Sequence, residues 1–391
     1  MQLAWNAEDE AFRAELIAFL DAHTPEEMRT GYDFQDVRDE HELVPQWLRD
    51  WQATLFDNGW MIPGYPPQLG GRNCTPIQTL IYLETLAGRR LLRSGHFPGY
   101  AIVAPSLLEF GNDEQKKLVP AAIRGDTIWC IGMSEPNAGS DLAGLQTRAE
   151  VFDDHFVVTG QKVWTSYAMI AQKCFCYVRT DPSLPKHRGI SLLIMDVDSP
   201  GIDIRPLRHI NGTAGFAEVF FTDVVVPREN LVGELNGGWA ITQGSLAHER
   251  AGLWVEGIAR FEQTVEGLVA LAREQGCADD PIIRRKIASS YELAISLRAL
   301  GYKGFASFAQ GSSAPEHSYM KMGMSEASKA AFELGMEIAG SIAPVTDPVL
   351  ASKTRRFVDG FFLSFANTIA GGSSEIQRNI IAQRVLGLPR A

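Results

Sequence analysis

The hydrophobic period of this chain changes twice, and that pattern restricts its fold more than any other feature. Residues 11–20 carry apolar side chains at 12, 16, 17, 19 and 20, a helical stripe. Residues 59–72 (GWMIPGYPPQLGGR) hold four glycines and three prolines, so a long irregular connection is expected there before helix resumes at 77–86. Asn112 followed by Gln115 reads as a helix N-cap, with Pro120 after the next turn. From 128 the period falls to two. Val151 and Phe152, then Asp153 and Asp154, then His155 onward read as a hairpin turning on the acidic pair, and 174–179, 190–197 and 217–226 are further β-rich runs. Beyond 237 the helical period returns, with a long helix expected over 239–273, a stop at Gly276, and further helices near 281–310, 318–341, 348–369 and 375–386. A short loop is expected at 311–315. Helices, then strands, then helices is an unusual order, and it predicts an α+β multidomain chain with limits at 1–127, 128–236 and 237–391.

Composition removes several function classes. At 391 residues the chain exceeds one ordinary core, and its 45% hydrophobic and 21% charged content is that of a globular protein. A net charge of −11 argues against nucleic acid, which calls for a basic face. No apolar run reaches 18 residues and no basic-then-apolar leader opens the chain, so neither a membrane span nor a signal peptide is expected. The five cysteines are odd in number, and the Cys174, Cys176 pair has strand spacing with no matching second pair. A metal site is not expected, and a reduced, cytoplasmic protein is.

The densest run of special residues is 132–144, Gly-Met-Ser-Glu-Pro-Asn-Ala-Gly-Ser-Asp-Leu-Ala-Gly. Small and hydroxyl residues leave backbone amides exposed, and such a loop can approach a planar ring or a pyrophosphate. It lacks the G-x-G-x-x-G spacing and a surrounding βαβ unit, so a nicotinamide site is unsupported. A plain turn entering the β region is the bland alternative.

This run resembles the first signature of the acyl-CoA dehydrogenases. The order of helices and strands, the Gly-Asn-Asp-Glu-Gln-Lys-Lys run at 111–117 and Gly-Gln-Lys-Val-Trp-Thr-Ser at 160–166 extend the resemblance over the whole chain. It implies an N-terminal helical domain, a β-barrel-like middle and a C-terminal four-helix bundle, with FAD as cofactor. It places Met133, Ser134, Gly139, Ser140, Trp164, Thr165 and Ser166 at the flavin, together with Gly340, Gly372, Ser373 and Glu375. Trp164 would cover the isoalloxazine and Ser166 would bond near N5; an ordinary core tryptophan is the alternative for Trp164.

Most members carry the catalytic base just before a Gly-Thr pair near the C-terminus, where this chain has Gly371 within Ala370-Gly371-Gly372-Ser373-Ser374-Glu375. Glu375 lies in the first turn of the next helix, with Ser374 expected as its cap, and helix-end effects explain it. Glu249 is the better base. It lies between Leu246 and Leu253 in an apolar stripe, and the positions three and four away (Ser245, Leu246, Gly252, Leu253) hold no cation. Apolar surroundings raise a carboxyl pKa towards the range useful for proton abstraction. The resemblance agrees, since one subset of the family has its base on this helix. It further implies that Arg250 anchors substrate or CoA, that Ala370 and Gly371 border the acyl group, and that the Gly371 amide donates to the thioester carbonyl. Small residues there predict a bulky or branched acyl group, as in the actinobacterial steroid side-chain branch. Ser140 is placed at either the pyrophosphate or the CoA chain.

The family's Arg-x-x-Phe-Gly element is missing from Arg273-Glu274-Gln275-Gly276-Cys277-Ala278-Asp279-Asp280-Pro281. A homo-oligomer or a mixed tetramer with a sister subunit therefore both stay open. Acyl-CoA substrate and an electron-transfer flavoprotein are the expected partners. A flavin oxidase on the same scaffold and a non-catalytic subunit are the rival readings.

Overall fold

The computed structural model describes residues 5–29, 43–309, 316–342 and 348–389, leaving aside the side chains of 243–253, 308–318 and 342–353. The expected loop at 311–315 lies outside the described residues. The chain forms two compact units, Met1–Glu249 and Arg250–Ala391.

The first unit opens with helices α1 (Ala7–His23), α2 (Glu26–Arg29), α3 (Gln46–Asp57), α4 (Pro76–Gly88), α5 (Ala104–Phe110), α6 (Asp113–Lys116) and α7 (Val119–Arg124). In α1 the stripe read from sequence buries Phe12, Leu16 and Leu20, and Asn6 caps the helix through Asp9 N–H at 2.8 Å. Asn112 and Gln115 form the expected capping box on α6, at 2.9 and 3.2 Å. Gln115 does more than cap. Its Nε2 also donates to the Glu229 and Leu231 carbonyls, at 2.8 and 2.9 Å, and ties the helices to the sheet.

That sheet contains β1 (Trp129–Gly132), β2 (Arg148–Val151), β3 (His155–Ser166), β4 (Lys173–Arg179), β5 (Ile190–Asp196), β6 (Ile202–Leu207), β7 (Phe216–Pro227) and β8 (Leu231–Val232). Its order is β6-β7-β3-β2-β4-β5-β8, with β1 parallel to β4 off that path. The hairpin at Asp153 and Asp154 joins β2 to β3 in antiparallel register. Phe156 and Val158 of β3, Ala217, Val219 and Phe221 of β7, and Cys174, Cys176 and Val178 of β4 alternate into one core. Strands β4 and β5 are buried on both faces, so they read as continuous apolar runs. Cys130, the register partner of Cys174, completes a buried thiol cluster. Thiol-to-thiol hydrogen bonding and burial push Cys174 and Cys176 well above the usual thiol range, so both stay protonated.

The helix α8 (Gly238–Glu274) carries the chain into the second unit, which adds α9 (Pro281–Ala309), α10 (Glu316–Ala339), α11 (Pro348–Asn367) and α12 (Ser374–Ile380). Gly276 ends α8 with φ +70°, as its position predicts, and Asp280 accepts from Ile282 N–H at 2.7 Å to start α9. The later helices pack glycine against aromatic rings. A side chain at Gly301 would strike Trp254, one at Gly335 would strike Phe357, and one at Gly360 would strike Phe332. No helix among the described residues is long and apolar enough to cross a membrane.

Candidate active site

The 132–144 loop leaves β1 and folds back on itself through reciprocal Glu135 and Ala138 backbone bonds of 3.0 Å. Its anchor is a buried ion pair. Lys162 of β3 has no exposed surface, and its Nζ donates to Glu135 Oε1 at 2.8 Å and to the Met133 carbonyl at 3.0 Å. The Glu135 carboxylate also accepts Gln146 N–H at 2.6 Å and Thr147 N–H at 2.9 Å. Burial pushes this carboxyl up, but the Lys162 charge and these hydrogen bonds outweigh it and hold it ionised. Val163 N–H donates to the Ser134 carbonyl at 2.9 Å, and Arg179 of β4 holds the far end of the loop through the Ala143 carbonyl at 2.6 Å. The sequence reading missed this pair. Lys162 breaks an apolar inward row, and that was the one available signal.

The loop therefore lies along the end of β3, which brings Met133 and Ser134 next to the segment holding Trp164, Thr165 and Ser166. Between Lys162 and Thr165 the β3–β7 register shifts, with an extra residue on β3. This bulge turns Trp164 into left-handed backbone, φ +59°, with its side chain 60% exposed and edge-on to Phe216 at 6.1 Å between ring centres. A bulky residue in that conformation costs about 1–2 kcal/mol. An exposed indole held at such a cost is not a core tryptophan, which removes the bland alternative. The hydroxyl of the next residue, Thr165, is buried without a partner among the described residues. Gly139 and Ser140 are exposed, and a side chain at Gly139 would meet nothing within 4 Å. An open indole face, an orphaned hydroxyl and an uncrowded glycine loop can together take a flat polar aromatic group carrying phosphates.

In the second unit, Ala370, Gly371, Gly372 and Ser373 form the turn between α11 and α12. Both glycines are left-handed, φ +66° and +92°. Their carbonyls are held from two sides, Gly371 O by Gln377 Nε2 at 3.1 Å and Gly372 O by Lys321 Nζ at 2.6 Å. Among the described residues a side chain at Gly371 would find only Lys321 Cε, 3.9 Å away, so the glycine leaves real space there. The cap of α12 is Ser373 and not Ser374, a correction to the expected register. Ser374 is committed elsewhere: its N–H donates to the Thr368 carbonyl at 3.0 Å and its hydroxyl to Glu326 at 2.5 Å. Glu375 is exposed in the first turn, and hydrogen bonds from its own amide and the Ser373 hydroxyl hold its carboxyl below the usual range. Gly340 sits apart from this turn, at the end of α10, with φ +54° and open space around it. Glu249 and Arg250 both fall on α8, and their side chains lie outside the described residues.

Known proteins match this chain along its whole length. The acyl-CoA dehydrogenase N-terminal, middle and C-terminal domain models match residues 6–126, 130–224 and 236–386. Acyl-CoA dehydrogenase IpdE1 of Mycolicibacterium smegmatis is 34% identical over 370 residues, covering 90% of each chain. IpdE1 of Mycobacterium tuberculosis is 34% identical over 390 residues, covering 97% of this chain and 98% of that one. Among solved structures, the Tcur3481-Tcur3483 steroid ACAD superposes with a TM-score of 0.83 at 30% identity over all of both chains. The ChsE4-ChsE5 complex of Mycobacterium tuberculosis gives a TM-score of 0.80, also at 30% identity and full coverage of both chains. With three domain models of one family in order and relatives of this identity over nearly its full length, the chain belongs to the acyl-CoA dehydrogenases, a family of flavoprotein oxidoreductases.

Proposed function

We propose that this chain uses FAD to desaturate a bulky or branched acyl-CoA to its trans-2-enoyl-CoA, with domains bounded at 127 and 236. Met133, Ser134, Gly139, Ser140, Trp164, Thr165 and Ser166 of the first unit would hold the flavin, with Gly340, Gly372, Ser373 and Glu375 of the second. The indole of Trp164, the orphaned hydroxyl of Thr165 and the open loop at Gly139 fit such a group. When bound, FAD supplies an acceptor for the β-hydrogen and its electron pair. The chain's own residues do the rest. Glu249 takes the α-proton as general base, a role supported by its place between Leu246 and Leu253 in the sequence of α8. The Gly371 amide donates to the thioester carbonyl and stabilises the negative charge that gathers there as the proton leaves. Ser140, Arg250, Ala370 and Gly371 hold the acyl-CoA. An electron-transfer flavoprotein is the proposed acceptor of the electrons.

One observation carries the substrate reading: among the described residues the glycine turn has only Lys321 Cε within 4 Å of the place where the family resemblance leads one to expect a glutamate side chain. Anaerobic mixing of Glu249→Gln with a panel of acyl-CoAs tests the base. Flavin bleaching should slow about a thousandfold; bleaching at the wild-type rate puts the base elsewhere.

A second reading concerns assembly, and a specific observation favours it. The α8–α9 connection carries no Arg-x-x-Phe-Gly element, and the segment Glu337-Ile338-Ala339-Gly340 only loosely resembles the family's glutamine-glycine adenine contact, its Glu337 being held by Lys286 Nζ at 2.7 and 2.6 Å through both carboxylate oxygens. The solved relatives named above carry paired names, ChsE4-ChsE5 and Tcur3481-Tcur3483. A mixed assembly would supply the missing flavin contacts from a sister chain. FAD content of the chain purified alone decides this, since one flavin per protomer removes the need for a partner.

A further inference from the structure

The turn at Gly371 and Gly372 should be the loosest part of the second unit, because two consecutive glycines have access to most of backbone space. The structure instead holds both residues in left-handed conformations, and the restraint comes from outside the turn. Gln377, almost fully buried on α12, donates to the Gly371 carbonyl at 3.1 Å. Lys321, from α10, donates to the Gly372 carbonyl at 2.6 Å, a short charge-assisted bond. A peptide unit is planar and trans, so its C=O and N–H point in opposite directions. Fixing the Gly371 carbonyl therefore aims the Gly372 N–H away from Gln377, and fixing the Gly372 carbonyl aims the Ser373 N–H away from Lys321. The Gly371 N–H lies on the preceding plane, with the Ala370 carbonyl, so these two ties reach it through the Gly371 and Gly372 torsions, which they restrain in the left-handed region.

We infer that Lys321 is a positioning residue for the reaction, which sets the direction of the backbone donors in the glycine turn by holding the Gly372 carbonyl from α10. This rests on the reading of that turn as the thioester-carbonyl site. Lys321 touches no reacting atom in this role. The stem fits the role, since its Cε passes 3.9 Å from where a Gly371 side chain would begin. Here the small residue and the tether work together. Misaimed donors weaken stabilisation of developing charge far more than they weaken ground-state binding.

The test uses the holoenzyme and a 3-ketoacyl-CoA, which loses its α-proton reversibly and shows the enolate by ultraviolet absorption. Its ionisation equilibrium releases the proton to solvent and so does not depend on Glu249 as base. Bound to wild type, the ligand should ionise at lower pH than when free. In Lys321→Met that gap should narrow by about one pH unit, a tenfold loss of enolate stabilisation. Lys321→Arg still presents N–H donors and should keep most of the gap. With substrate, kcat should fall about tenfold in Lys321→Met while KM stays within about twofold. A gap as wide in Lys321→Met as in wild type overturns the role of Lys321 alone. A wild-type protein showing no gap overturns the carbonyl-site reading, and this inference with it. Should Lys321→Met not fold, Lys321→Leu carries the same comparison.

Discussion

At the end of β3, backbone donors and an exposed indole are held by a buried ion pair, a bulge and a loop tied at both ends. At the turn between α11 and α12, the corresponding control comes from two side chains reaching the carbonyls of two glycines. The first arrangement is dense, and most of its bonds are shielded from water. The second is open, and a side chain could be added at Gly371 with little collision. The contrast separates two jobs. On the proposed reading, a redox group held in common needs one fixed frame, while a variable acyl group is accommodated where side chains can be removed.

Breaking the dense side should give the largest effect. Removing one partner of a buried ion pair strands the other charge, so Lys162→Met is expected to destabilise the first unit by about 3–5 kcal/mol in urea unfolding. Replacing both Glu135 and Lys162 by apolar residues should recover part of that loss. An unchanged midpoint for Lys162→Met would mean the pair does not brace the loop.

Acid attacks the same unit next. His96 is buried against the Trp129 backbone and Tyr167, and burial takes its pKa from 6.5 down to about 4. Below pH 6.5 the unfolded chain takes up a proton that the native state refuses until about pH 4. The stability from His96 is thus complete above 6.5 and lost as pH falls towards 4, by about 3 kcal/mol in all. Unfolding free energies from pH 6 to 4.5 should slope by about 1.4 kcal/mol per pH unit more in wild type than in His96→Gln. Equal slopes would show that His96 is not held neutral.

Trp164→Ala sharpens the comparison. Core tryptophans cost about 3–5 kcal/mol when truncated. Because this indole is exposed and strained, the apoprotein should change by less than about 1 kcal/mol, while FAD affinity falls about tenfold. Large loss of apoprotein stability with unchanged flavin affinity would return Trp164 to the core. Gly371→Ala tests the open side. Among the described residues its new methyl meets only Lys321 Cε, so the penalty is conformational, about 1–2 kcal/mol on thermal unfolding. A greater loss would mean the turn is crowded after all.

Sequence made the helix–strand–helix order, the α1 stripe, the Asn112 cap and the Asp153 hairpin legible, because each rests on local spacing. It did not reveal β6, whose residues Ile202–Leu207 are half exposed and carry a proline and two charges along an edge. It did not reveal β1 as a parallel partner of β4, since that pairing joins residues more than forty positions apart. Two adjacent serines could each cap α12, and only the tertiary bonds of Ser374 decide between them. The same limit hid the bulge at Trp164 and the ties to the glycine turn from Lys321 and Gln377. The resemblance named the residues of the candidate site, but what holds them in place depends on contacts between distant segments.

The central claim is that the flavin side keeps a fixed frame while the acyl side has been opened at Gly371. Measuring kcat/KM for butyryl-, octanoyl-, branched-chain and sterol-derived polycyclic acyl-CoAs tests it most directly. At least one bulky thioester should exceed both straight chains by about a hundredfold, the scale on which pocket shape discriminates. Butyryl- or octanoyl-CoA turning over far faster than every bulky substrate would contradict the account.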